Sequence, residues 1–442
     1  MLPPTLLFIA LIQLARADVL RFSSYANDFV DPDYIVAGKF PNTTGEAKAS
    51  IVSWANYLSA SGPWSVTDKP MVAPSGSKQD YMSWAPYWWP NCTGVGNTTE
   101  LTPEQIWVTC PYVNRDGQFN PDRLTINDIG AFYNLSDAVL YNALAFSFQD
   151  NHAAKFVNTW FLDSQTGMNP NLNYAQMQRG PTGQGGRDLK SFVKIVSGIL
   201  ILRKRKCTDW TAEIDAKMNA WTQKYIIWLE TNPLGVADNH GSFCYNQLIA
   251  AKLLVNDVPG SVAASDKFFN GIYQDQINSN GEQPFEAART RPYHYRNYNL
   301  AAMITNARLL KYADPTSDPW NRTTKAGATI KDAMDMTMTV DPNASGEARA
   351  VGEIFPNIAA IAATHGDPDG KYVAFLAKAF PEYASDASFL WDQPLAGGVA
   401  ATGVSTTNTA GSGAGKGTSA AVRITGLDAT VLALLVSAVV VL

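Results

Sequence analysis

From Ile126 onward the apolar residues recur every three or four positions, at Ile126, Ile129, Phe132, Leu135, Val139, Ala143 and Phe146. That period lines up one stripe of an α-helix, whereas a strand would alternate its faces. The same pattern predicts helices around 152–160, 189–203, 209–231, 241–254, 262–276, 297–312, 325–338, 353–364 and 370–378, most of them separated by short Gly, Pro or Asn-rich breaks. No alternating strand pattern intervenes. Consecutive helices must bury their stripes against one another, so the chain reads as all-α, and the number of helices suits hairpins wound into an incomplete (α/α) toroid. Positions 60–120 differ, because Ser61-Gly62-Pro63-Trp64 and Ser83-Trp84-Ala85-Pro86-Tyr87-Trp88-Trp89-Pro90-Asn91 deny this region long helices. It is expected to form a loop-rich N-terminal lobe, and Leu20–Phe22 is a candidate short strand.

The two ends read as processing signals rather than as fold. Residues 1–17 carry the apolar run Leu6–Ile12 closed by Ala15-Arg16-Ala17, the pattern of a secretory signal peptide cleaved before Asp18. Residues 396–428 form a Ser/Thr/Gly-rich linker with Ser412 and Gly413 as candidate attachment residues, and 429–442 form an apolar tail. Together these make a GPI-attachment signal, and a retained transmembrane helix is disfavoured by the shortness of the tail. The domain left between them, 18–395, has roughly 380 residues, enough for one large or two modest domains. The expected location is extracellular, on the face of the plasma membrane or in the cell wall, with a lipid anchor as the membrane contact. Asn-x-Ser/Thr sequons at Asn42, Asn91, Asn97, Asn134, Asn321 and Asn343 agree with that route.

Four cysteines are few for an exported chain of this size, so the core carries the fold and disulfides act as local staples. Cys92 and Cys110 are close enough in a loop-like stretch to pair, and Cys207 with Cys244 is a second candidate pair. The cysteines lack metal-ligand spacing and no other ligand cluster is visible, so neither metal nor cofactor is expected. A formal net charge of -5 argues against a nucleic-acid partner. The run Arg203-Lys204-Arg205-Lys206 reads as a solvated helix terminus.

Two polar clusters interrupt this framework. His240, one of only four histidines, stands beside Asn239, and Arg289-Thr290-Arg291-Pro292-Tyr293-His294-Tyr295 follows later in the chain. An amide and a guanidinium both donate to carboxylate oxygens, while imidazole and phenol can move protons beside them. Removing a proton alpha to an ionised carboxylate requires both actions. A phenol titrates ordinarily near 10, so Tyr295 would serve as a base only if cationic neighbours lowered it. Asn171, Asn173, Tyr174 and Gln176 form a candidate binding strip, or alternatively a turn that organises a helix end. Tyr87 and Trp89, with Ser83, offer a lid or stacking wall from the N-terminal lobe.

These residues resemble the alginate lyase superfamily of polysaccharide lyases, which includes members acting on other polyuronates such as glucuronan. The resemblance runs from Arg115-Asp116-Gly117 through Trp160-Phe161 and Met168–Gln176 to Asn239-His240-Gly241, Gln283–Thr290 and His294-Tyr295. It implies an anionic polysaccharide as partner and substrate, cleaved by β-elimination. Carried over, Asn239 neutralises the carboxylate, His240 acts as base or neutraliser according to the sugar epimer, Arg289 binds and polarises, and Tyr295 donates to the O4 leaving group. The Arg289–Tyr295 spacing is one residue shorter than in alginate-cleaving members, which leaves Arg291 and Tyr293 as competing positions; Arg291 and His294 are expected to contact substrate. Two other readings stay open: a glycoside hydrolase on a similar toroid, using two of Asp188, Asp238 and Glu286, and a non-catalytic wall-binding protein.

Overall fold

Burial alternates along the helix series, and that alternation is the signature of the architecture. The computed structural model describes residues 28–392, apart from 103–104, 107–108, 149–153, 179–187 and 233–235. The expected signal peptide, the strand at Leu20–Phe22, the linker and the tail lie outside the described residues. The chain enters through α1 (Pro32–Ala37) and α2 (Gly45–Ser61). Three short strands follow, β1 (Met82–Trp84), β2 (Trp88–Pro90) and β3 (Tyr112–Asn114), then α3 (Asp128–Phe146), α4 (Ala154–Val157) and β4 (Tyr174–Met177). The rest is helical: α5 (Phe192–Lys204), α6 (Ala212–Thr231), α7 (Asn239–Leu254), α8 (Val258–Asn270), α9 (Pro284–Ala287), α10 (Pro292–Ala313), α11 (Ile330–Thr337), α12 (Phe355–His365) and α13 (Lys371–Ala379).

In α5 every residue from Phe192 to Leu202 is buried, and α7 and α10 are buried over most of their lengths. Helix α6 hides only one stripe, Met218, Trp221, Thr222, Tyr225, Ile226 and Leu229, and α8 likewise one face. A helix apolar all round belongs inside, and an amphipathic one outside. The series therefore reads inner, outer, inner, outer, inner over α5, α6, α7, α8 and α10, with the short α9 as a link and α7 packed against α5, α6, α8 and α10. This is the (α/α) toroid. Buried polar groups on α7 find partners on its neighbours: Asn246 Nδ2 donates to the Ala302 carbonyl at 3.0 Å, and Gln247 accepts from the Tyr225 hydroxyl at 2.6 Å.

The N-terminal lobe is held by pairing rather than by helices. β2 and β3 form an antiparallel ladder with Trp89 opposite Val113, and the Cys92–Cys110 disulfide closes its far end. β1 pairs in parallel with β4, which ties the lobe to the segment around Tyr174. The second candidate disulfide is not formed. Cys207 and Cys244 are separate buried thiols, each packed among core side chains. Helix α2 is an addition to the expected series. Its buried stripe, Ala47, Ile51, Ala55 and Leu58, packs on α3, and Ser50 Oγ donates to the Ser385 carbonyl at 2.7 Å, joining the two ends of the described chain. The basic run ends α5 as expected, with Arg203 bonded to Asp215 and Lys204 to Asp33.

Candidate active site

The N-terminus of α7 builds the first part of the site. Asp238 caps the helix, its Oδ1 accepting from the His240 backbone N–H at 3.0 Å and meeting His240 Nδ1 at 2.9 Å. An ionised Asp238 keeps the ring proton on Nδ1 and leaves the Nε2 lone pair outward, where the imidazole is 30% exposed. Asn239 is buried at the first helical position. Its backbone N–H and its Nδ2 both donate to Glu286, to Oε1 and Oε2 respectively, each at 2.7 Å. Gly241 is required by packing, because a Cβ there would lie 1.9 Å from the Val236 carbonyl oxygen. Asp238 thus caps α7 and orients the His240 ring within one turn.

Helix α10 supplies the second part. Glu347, remote in sequence, accepts from the backbone N–H groups of Tyr293 and His294 at 2.9 and 3.1 Å, so it caps α10 from another loop. Tyr295 is buried, and its hydroxyl donates to the Tyr87 hydroxyl at 2.8 Å. The Arg289 guanidinium lies 3.7 Å from the centre of the Tyr295 ring and is held by Asp116 through Nε at 3.1 Å and Nη2 at 2.6 Å. Phe243 and Tyr298 rings meet at 4.4 Å, joining the N-terminal halves of α7 and α10. His294 pairs with Glu353 at 2.7 Å and stacks on Tyr298. Arg291 approaches Glu347 at 3.7 Å, and Gly117 packs against its side chain.

Electrostatics separates the titrating groups. Hydrogen bonds from Arg289, outweighing the cost of burial, hold the Asp116 carboxyl down at about 2. Burial pushes Glu286 up from 4.5 to about 7, because its donors on Asn239 are neutral and only partly offset desolvation. Burial also pushes the Tyr295 phenol above its ordinary range, the Tyr87 hydroxyl adding to the rise and Arg289 opposing it. The cation on the Tyr295 ring does not win. At neutral pH this phenol is a proton donor.

The asparagine strip is hydrogen-bonded within the chain. Asn171 accepts from the Asn173 backbone N–H at 3.1 Å and Asn173 Oδ1 accepts from the Trp228 indole at 2.8 Å, the turn geometry that was the alternative for this segment. Gln176 adopts a φ of 46, its backbone N–H donates to Ser83 at 2.7 Å, and its Nε2 donates to Asp188 at 2.6 Å. Asp188 is buried and also accepts from Tyr81 and Ser83. Tyr174 packs with Ala73, Met82, Ile126 and Met177. Trp89 is fixed by a 2.9 Å bond from its indole to the Gln118 carbonyl. The supports missed by sequence reasoning are Asp116, Glu347 and Glu353, together with the buried Lys190, which bonds Tyr133 and lies 5.6 Å from the Tyr298 ring centre. Asp238 and Glu286, candidates in sequence for a hydrolytic pair, here orient His240 and Asn239. Among the described residues no group of His, Cys, Asp and Glu is arranged to hold a metal ion.

The family model for alginate lyase matches residues 65–344. A solved structure described as an alginate lyase from Bacteroides ovatus is similar at 26% identity and a TM-score of 0.68, over 78% of this chain and 93% of that one. Comparison with curated proteins gives no match.

Proposed function

This chain belongs to the alginate lyase family and is a polysaccharide lyase, and from that premise we propose that it cleaves a uronic-acid polymer, of alginate or glucuronan type, by β-elimination outside the cell, where a GPI lipid holds it. The observation that carries the reading is the pairing of a clamped amide with an oriented imidazole, Asn239 on Glu286 and His240 on Asp238, next to the helix that bears a protonated Tyr295. The second N–H of the Asn239 amide is assigned to the sugar carboxylate, which it neutralises enough to acidify the C5 proton. His240 Nε2 takes that proton. The electron pair forms the C4–C5 double bond as the C4–O bond breaks, and the Tyr295 phenol gives its proton to the departing oxygen. Arg289 is doubly engaged by Asp116, so its assigned task is to hold and stabilise the phenolate formed at Tyr295 rather than to clamp the substrate. The raised phenol favours this division of labour over one in which Tyr295 removes the C5 proton.

The hydrolytic reading lacks support of this kind, since Asp188, Asp238 and Glu286 are all occupied by donors of their own chain. The test is a panel of uronans assayed in parallel for ultraviolet absorbance of the conjugated product and for new reducing ends. Both should rise together. Reducing ends without absorbance would sink the lyase assignment on that substrate, and binding without either signal would favour a wall-binding protein.

A further inference from the structure

The N-terminal lobe carries side chains that the cleavage chemistry leaves unused. Tyr87, whose hydroxyl accepts from Tyr295, tilts against Phe119 with ring centres 5.2 Å apart. The Arg123 guanidinium lies 4.1 Å from the centre of the Phe119 ring, and Arg115 lies 5.3 Å from the centre of the Trp89 ring. Phe119 is 39% exposed, and Arg115 is exposed as well. Contacts thus lead from the proton-donating phenol through Tyr87 and Phe119 to the Arg123 guanidinium, and the Arg115 backbone N–H, donating to the Tyr87 carbonyl at 2.8 Å, ties the second guanidinium and its Trp89 bed to the same path. The carboxylate next to Arg115 in sequence, Asp116, is spent on Arg289.

We propose that Arg115, Phe119 and Arg123, with Trp89, form a distal subsite for the uronate units on the leaving-group side of the scissile bond. The proposal rests on the uronan reading above. Its direction follows from the chemistry: Tyr295 protonates the oxygen that departs with the fragment gaining the new reducing end, and Tyr87 adjoins that phenol. Sugars present a flat apolar face to a ring and a carboxylate at the edge, and a guanidinium seated on an aromatic face offers the complement of both. The beds also limit the entropy lost when the arginines engage, because packing on the ring already restricts them.

The experiment compares wild type with Arg115→Gln, Phe119→Ala and the Arg115→Gln/Arg123→Gln double variant on polymer and on an oligomer series lengthened one unit at a time at the leaving-group end. In the double variant KM for polymer is expected to rise about tenfold with kcat retained, the sum expected for two partly screened ion pairs. Wild-type KM should fall as leaving-side units are added, and the variant should lose that dependence. Added salt should weaken polymer binding by wild type more than by the variant. A wild type that cleaves uronans while the double variant keeps the same polymer KM overturns the subsite but spares the lyase reading. A KM increase that is equal on the shortest and longest substrates also overturns it, because the residues would then act at the cleavage point. If wild type cleaves no uronan, the proposed substrate class fails and the subsite with it.

Discussion

Replacing Glu286 by Gln should separate stability from catalysis. The carboxylate is 1% exposed and accepts the backbone N–H and one amide N–H of Asn239, each at 2.7 Å. Its carboxyl is raised from 4.5 to about 7, burial being the largest cause. Between those values the folded state holds a proton that the unfolded state has released, so stability falls as pH rises through the window. The ionised carboxylate then costs about 3 kcal/mol above it. Glutamine carries no charge and escapes that cost. It does place an amide NH2 where an oxygen stood, so one Asn239 donor faces another donor, at about 1–3 kcal/mol. Above the window the two effects offset each other to within about 2 kcal/mol, and the variant should remain folded. Activity should not survive so well, because Asn239 must turn from its place, and a misplacement of an ångström costs about 100-fold. Denaturant melts on both sides of the window, paired with the elimination rate above it, test the argument. Wild type should lose stability relative to the variant as pH rises, while the variant shows a deep loss in kcat/KM. A variant with full activity, or one that loses several kcal/mol above the window alone, would refute the reasoning.

His240→Ala and Tyr295→Phe should each lower kcat by about 10²–10⁴-fold with thermal stability little changed, as expected for loss of a positioned proton-transfer group; Tyr295→Phe at wild-type rate would remove the phenol from the mechanism. Asp238→Asn should release the ring proton from its Nδ1 position, lowering kcat more than KM, which steady-state kinetics would read directly. Asp116→Asn should loosen Arg289 and slow the reaction. Because the Asp116 carboxyl is held down at about 2, its contribution to stability is present above 3.8 and lost as pH falls toward 2, so acid melts of wild type and variant should converge there. Reducing Cys92–Cys110, which closes a loop of sequence separation 18, should cost up to about 3 kcal/mol of lobe stability and raise KM for polymer, while leaving the helical unit folded by circular dichroism.

The helical series was legible because its information is local. Phe132, Leu135, Val139 and Ala143 repeat at the helical period whatever they pack against, and all four are buried. Helix α2 escaped notice because half of its buried stripe is alanine, Ala47 and Ala55, among serines that dilute the apolar pattern. The residue types of the candidate site were legible from their rarity and spacing, but the partners that orient them were not. Arg289 and Asp116 are 173 residues apart, Tyr295 and Tyr87 are 208 apart, and nothing in either segment marks the other. The thiols Cys207 and Cys244 show the same gap, since proximity in sequence could not reveal that each would be absorbed separately into the core.

Apart from Tyr295, whose hydroxyl meets Tyr87, the polar groups of the site have carboxylates behind them: Asp238 for His240, Glu286 for Asn239, Asp116 for Arg289, Glu353 for His294 and Glu347 for the first turn of α10. An anionic polymer would be repelled by these charges if they were bare, and each is instead masked by the donor it orients. The masking is unequal. Asp116 faces a permanent cation and keeps its charge down to about 2, whereas Glu286 faces neutral amides and takes up a proton near 7. As pH falls through that value, Glu286 ceases to repel a bound uronate but also loses an acceptor for Asn239. The first effect lowers KM, and the second lowers kcat. Wild type should therefore show both constants falling together below about 7, and Glu286→Gln should abolish the KM component, which has no other source on Asn239. A KM in the variant that follows pH as in wild type would place the titrating charge elsewhere in the cleft.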